Sequence, residues 1–282
     1  MSSIAIITDS DASLPADVAA RYGIQQVPII IQFGVESLRT EIDIDDVSLF
    51  ARIDREGKLP TTAAPSPGKF LEAYEAAFAT GADAIVCLCV SSAISATYSA
   101  ALAAKELLPG HTIEVVDTQV VSMAQGFMAL AAAEAVRAGA DVAGAVAAAL
   151  ALGDHTHLFG AFSTLKYLAM SGRVGHLAAG FGNLLSVKPI VTMRDGKLDL
   201  LEKVRTRSRA LARVVELTGE AMTGRTIRQM AVLHVAVPDE AAAFEVQLRS
   251  ALPCPETILH AGLTAGLSVH TGAGMLGVVV VG

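Results

Sequence analysis

The sequence contains no tryptophan, three cysteines, 5% aromatic residues and 17% charged residues, and each shortage excludes something. Three cysteines cannot all pair within one chain, so a disulfide-stapled secreted scaffold is ruled out. Cys87 and Cys89 stand two apart in the apolar run Ile85–Val90, which places both thiols on one face of a predicted strand as core packing. Lys and Arg number 21 against 28 Asp and Glu, a net charge of -7, and no Lys/Arg run is interleaved with aromatics. That balance excludes a phosphodiester backbone as partner. No stretch approaches the roughly 20 uninterrupted apolar residues of a membrane span. Even the alanine-rich stretch Val120–Leu152 is broken by Glu134, Arg137, Asp141 and several glycines. The first residues pass directly into Ile4–Thr8 without a charged n-region, an h-region and a cleavage site. Together with the unpaired cysteines, this predicts a reduced, cytoplasmic protein.

What the chain does have is apolar bulk: 282 residues, 52% of them hydrophobic, supply core for one large or two medium domains. As far as about Gly153, short β-rich runs (Ile4–Thr8, Val27–Ile31, Ile85–Val90, Thr112–Asp117) alternate with helical patterns (Leu14–Tyr22, Ser66–Ala79, Ser95–Leu108, Val121–Ala138, Val142–Leu152). Alternation of this kind predicts an α/β layer on a mainly parallel sheet. The order then becomes mixed. Strands are expected at Leu158–Ser163, Val187–Thr192, Lys197–Val204, Met230–His234 and Gly277–Val281, with a hairpin around Asp195-Gly196. Helices are expected at Leu165–Met170, Gly180–Leu185, Arg207–Thr218 and Asp239–Leu248. The domains are placed at 1–155 (α/β) and 156–282 (α+β with a mixed or antiparallel sheet), without a low-complexity linker.

Several constellations carry chemistry. His270 is set among Gly266, Gly272, Gly274 and Gly277, ahead of a terminal apolar strand, and reads as part of a ligand site. Gly272-Ala-Gly274-Met-Leu-Gly277 also satisfies G-x-G-x-x-G, but too few residues follow it for the helix and βαβ unit of a dinucleotide site. Asp9-Ser10 ends the first strand, where an α/β sheet binds ligands or where a side chain simply caps the next helix. In Pro60–Gly68, Ser66 with Pro67 behind it predicts an N-cap, while Thr61 and Thr62 have no such duty. Ser91, Ser92, Ser95, Thr97 and Ser99 crowd the start of a predicted helix, more hydroxyls than capping needs, and suit a carboxylate or phosphate. Arg173 follows a glycine, and Lys203, Arg205, Arg207 and Arg209 form a basic run that is either a docking patch or a solvated face. His155 and His157 have metal-like proximity without a third ligand nearby, so no metal site is expected.

Taken in order, Ala5–Ser10, Pro60–Pro67, Ser91–Tyr98, Val116-Asp-Thr118, Leu165–Val174, Val187–Ile190, Lys203–Arg207 and His270–Gly277 resemble the DegV family of bacterial fatty-acid-binding proteins across the whole chain. The resemblance implies a two-domain fold, an N-terminal three-layer α/β/α domain plus a C-terminal α+β domain, with a long-chain fatty acid such as palmitate or oleate buried between them. It implies that the carboxylate is held by Thr62, Ser92, Ser95 and His270. It further implies that a separate ATP-using fatty acid kinase phosphorylates the acid for phospholipid synthesis, with Arg173, Arg205 and Arg207 toward the phosphate or the partner. No cofactor besides the bound acid is implied, and transient membrane contact is compatible with the role. Ala63, Ala64, Ala96 and Thr40 depart from the family pattern. The chain lacks a Walker loop and the protein-kinase signature set, which predicts a carrier and not a catalyst. The alternative is an acyl hydrolase built from Ser92 or Ser95, His270 and Asp9 or Asp117, against which stands the absence of a G-x-S-x-G elbow.

Overall fold

The computed structural model describes residues 3–164, 166–172 and 187–282. The expected helix Gly180–Leu185 and the side chains of Arg173 and His176 lie outside those residues. The chain divides into two compact units, Met1–Asp43 with Thr62–Asp154, and Ile44–Thr61 with His155–Gly282. The segment Ile44–Thr61, with one helix, groups with the second unit.

The first unit is built on a four-stranded parallel sheet of β1 (Ile4–Asp9), β2 (Ile24–Val27), β6 (Ala84–Cys89) and β7 (Thr112–Asp117), in the order β2-β1-β6-β7. Every residue of β6 is buried, as expected of a central parallel strand covered on both faces and written as an unbroken apolar run. One face packs on α3 (Pro67–Ala79) and α4 (Thr97–Lys105), where Phe70, Tyr74, Ala101 and Ala104 meet Ile7, Ile85, Cys87 and Cys89. On the other side α5 (Met123–Arg137) packs on β1 and β6, and α6 (Val142–Gly153) on β6. Helix α1 (Ala16–Tyr22) precedes β2.

The expected strand Val27–Ile31 is broken. Its first residue closes β2, and a separate β3 (Ile30–Phe33) pairs antiparallel with β4 (Glu36–Arg39) in a small sheet that also contains β5 (Thr61–Ala63). Pro28 lies at the break, where it has no N–H for a ladder.

The second unit holds a six-stranded mixed sheet in the order β10-β9-β8-β13-β11-β12. Its strands are β8 (Thr156–Ala161), β9 (Lys188–Arg194), β10 (Lys197–Val204), β11 (Gln229–His234), β12 (Leu259–Gly262) and β13 (Leu276–Val281). All pairings are antiparallel except β11 with β12. Its core joins the sheet to α8 (Arg207–Ala221) and α9 (Pro238–Ala251) through Val214, Phe244, Leu248, Val232 and Val278. Among the described residues this unit also holds helices α2 (Asp46–Glu56), α7 (Lys166–Met170) and α10 (Ala265–Thr271). Helix α2 is closed by a capping box, with Asp45 accepting from the Ser48 N–H at 2.8 Å and Ser48 Oγ accepting from the Asp45 N–H at 3.2 Å.

Candidate functional site

The strand order of the first unit determines where a ligand can be held. From β1 the chain moves to β2 on one side, then returns to β6 on the other. The connections leaving β1 and β6 therefore diverge, which makes their carboxyl ends the topological switch point of the sheet. Asp9 ends β1, Val90 follows β6, and Asp117 ends β7.

Asp9 is fully buried. Its carboxylate accepts from the Val90 N–H at 2.7 Å, from Gln125 Nε2 of α5 at 3.0 Å and from the Asp11 N–H at 3.0 Å. Desolvation outweighs these donors and pushes its pKa up to about 6. Beside it the Thr8 hydroxyl donates to the Leu88 carbonyl at 2.8 Å, and Gln125 Nε2 donates to Thr8 Oγ1 at 2.9 Å. Ser10 Oγ accepts from the Ile29 N–H at 2.9 Å and lies 2.7 Å from the hydroxyl of buried Thr40. Asp9-Ser10 is thus more than a helix cap, because it knits β1 to β6, α5 and the segment before β3.

After β6 the chain makes a hydroxyl-rich turn before α4. Buried Ser91 anchors it, its carbonyl accepting from the Ile94 and Ser95 N–H groups and its own N–H reaching the Val120 carbonyl at 3.0 Å. Ser92 is exposed and committed: both its N–H, at 3.0 Å, and its hydroxyl donate to the Asp117 carboxylate. Ser95 is half-buried, with its Oγ 2.8 Å from Thr97 Oγ1 and accepting from the Thr97 N–H at 3.3 Å. The helix starts at Thr97, two residues later than the pattern predicts, and its N-cap Ala96 supplies no side-chain cap. Exposed Ala96 offers the first N–H groups of α4 no side-chain cap, and the Ser95 hydroxyl, bonded to Thr97, lies beside them, an arrangement suited to an anion.

Thr62 is half-buried on β5. Ser66 does occupy the N-cap of α3 with Pro67 behind it, but its side chain makes no capping bond, which corrects the expected capping role of that hydroxyl.

In the second unit His270 is half-buried in the last turn of α10. A helix precedes Gly272-Ala-Gly274-Met-Leu-Gly277 and a strand follows it, the reverse of a dinucleotide site. The glycines are explained by packing. Gly272 has φ +78°, and a Cβ there would lie 2.4 Å from the Tyr167 ring; at Gly277 it would lie 2.7 Å from the Phe159 carbonyl. Helix α10 eluded periodicity because it has only seven residues.

Arg207, expected at the phosphate or partner, spends its guanidinium internally. Nε donates to Glu240 at 2.8 Å and Nη1 donates to the Gly274 carbonyl. Arg205 is exposed in the link from β10 to α8. His157 stacks on Phe159, and burial lowers its pKa. No group of three or more metal-ligating side chains occurs among the described residues. None of their helices is long and apolar enough to cross a membrane.

Comparison with known proteins follows this geometry. A family model described as an uncharacterised protein of the DegV family matches residues 3–282. The DegV domain-containing protein SCO2569 of Streptomyces coelicolor is 39% identical over 277 residues, 98% of each chain. Protein DegV of Bacillus subtilis is 31% identical, again with 98% of each chain covered. A solved structure described as fatty acid binding of a DegV family protein from Thermus thermophilus superposes with a TM-score of 0.92 at 29% identity, over 99% of each chain. That of DegV from Bacillus subtilis, described as a fatty acid binding protein, gives 0.89 at 30% identity over the whole of both chains. With its parallel and mixed sheets, its family match and relatives above 30% identity over nearly every residue, the chain belongs to the DegV family.

Proposed function

We propose that this protein binds a long-chain fatty acid and serves as its carrier, presenting the acid's carboxyl group to a separate ATP-dependent fatty acid kinase. The observation that carries the reading is the close match of fold and sequence to two fatty-acid-binding DegV proteins, in a chain that places a hydroxyl-rich turn at its own switch point. In this reading Ser95 and the first turn of α4 hold the carboxylate, Ser92 orders the turn through Asp117, and Thr62 and His270 supply further donors. Burial of the acyl chain at about 0.8 kcal/mol per methylene contributes on the order of 10 kcal/mol, enough for tight retention. Arg173 and Arg205 would offset phosphate charge or meet the kinase. Arg207 would act indirectly, by fixing the start of α8 against Glu240 and Gly274.

Calorimetric titration of the delipidated protein with oleate tests the proposal. Saturable one-to-one binding, weakened about tenfold in Ser95→Ala, is expected from the loss of one hydrogen bond to a charged group. Absence of oleate and palmitate binding would sink it. The hydrolase alternative is separated by p-nitrophenyl palmitate, on which the carrier reading expects no turnover that depends on Ser92 or Ser95.

A further inference from the structure

The Ser91–Thr97 turn begins at a backbone N–H that donates to a carboxylate, and that carboxylate is held by neutral groups. Val90 N–H, Asp11 N–H and the Gln125 amide all donate to Asp9, at 2.7, 3.0 and 3.0 Å. The titratable groups around it are the Cys89 thiol on β6, Asp117 at the end of β7 and Asp11 on the turn after β1; Gln125 of α5 is neutral. A fully buried anion held only by neutral donors has an incentive to take a proton. An acceptor for that proton is at hand. Gln125 Oε1 is buried without a hydrogen-bond partner, and a half-turn of the amide would present it to Asp9 in place of Nε2.

Resting on the carrier reading, we propose that Asp9 is a positioning residue for the Ser91–Thr97 turn and the group that takes up a proton from solvent when an anionic head group occupies that turn. The ionised form accepts the Val90 N–H and so fixes where the turn leaves β6. A ligand carboxylate at Ser95 and the α4 N-terminus brings a second negative charge to the same strand ends. Two like charges about 10 Å apart at an effective dielectric near 20 repel enough to change a binding constant roughly tenfold. Protonating Asp9 relieves that repulsion, and its pKa of about 6 places the exchange within reach of neutral pH.

The test is calorimetric titration of the full-length protein with oleate between pH 5.5 and 8, in paired buffers of small and large ionisation enthalpy. The acid's own titration is common to every variant and cancels in the difference. Wild type should take up a fraction of a proton more per oleate than Asp9→Asn, and between the two pH extremes its affinity should gain about tenfold more on acidification. Equal proton uptake in the two proteins would overturn the proposal. Gln125→Leu keeps the carboxylate but removes both the donor to its ionised form and the acceptor for its protonated form; the first bond, to a charged group, is the stronger, so the pH of greatest uptake should move upward, and this variant decides the matter if Asp9→Asn fails to fold. An unmoved profile in Gln125→Leu would count against it equally. Failure of the wild type to bind oleate at any pH would instead remove the carrier reading on which this inference rests.

Discussion

The carboxyl ends of the parallel sheet and the glycine-rich segment before β13 both drew attention as sequence, and they became opposite kinds of structure. At the sheet ends, polar side chains are buried and bonded to one another: Asp9 to Val90 and Gln125, Ser10 to Thr40, and Ser92 to Asp117 at the rim. Before β13 the glycines make room for neighbours, and the histidine rides on a short helix. The glycine cluster here answers to backbone crowding, whereas the hydroxyls and carboxylate at the strand ends form a hydrogen-bonded polar network.

Substitutions in the two regions should have effects of different kind and size. Gly272→Val combines a positive φ with a clash against Tyr167 and should cost the second unit about 3 kcal/mol or more, read as a lower midpoint in urea denaturation. Wild-type stability there would show that the glycines are not packing residues. Asp9 should make the first unit pH-sensitive. Its folded pKa lies above the unfolded value of 3.8, so its contribution is fully present below about pH 4 and is lost as pH rises through about 6. The span is roughly 3 kcal/mol, and Asp9→Asn should flatten it. A wild-type profile as flat as that of the variant between pH 4 and 7 contradicts the buried-carboxylate picture.

Smaller effects address the head group. His270→Ala should weaken oleate binding by about tenfold without altering the unfolding free energy by more than about 0.5 kcal/mol, since the side chain is only half-buried. Unchanged affinity would remove His270 from the site. Smallest is the basic run: Arg207→Ala should destabilise by about 1 kcal/mol through the lost bonds to Glu240 and Gly274, whereas exposed Arg205→Ala should change stability by less than about 0.5 kcal/mol. Equal losses would mean that the two arginines do not differ in structural duty.

Much of the fold was legible because its strands and helices are long and strongly patterned. The fully apolar β6, the Thr112–Asp117 strand and the Lys197–Val204 strand fall where periodicity puts them. Short elements escaped: β4 and β12 have four residues each, and α10 has seven, too few for a period to register. Helix α2 escaped too, although Asp45 and Ser48 spell its capping box. Its packing with the second unit, through the Asp46 carboxylate accepting from the Ala236 N–H at 2.8 Å, joins residues 190 positions apart, which local patterns cannot convey. At the site, hydroxyl content marked the Ser91–Thr97 turn, but only geometry shows Ser92 bonded to Asp117 and Ser95 to Thr97. Gln125 was missed altogether, because one amide within an alanine-rich helix gives no signal until its partner at Asp9 is known.

The central claim is that this chain carries a fatty acid. Mass spectrometry of the purified protein, first intact under native conditions and then after denaturing extraction, tests it most directly. A mass increment equal to one long-chain fatty acid per protein, released as a free acid on denaturation, is the predicted result. An apo mass in repeated preparations, with no increment after incubation with oleate or palmitate, would contradict it.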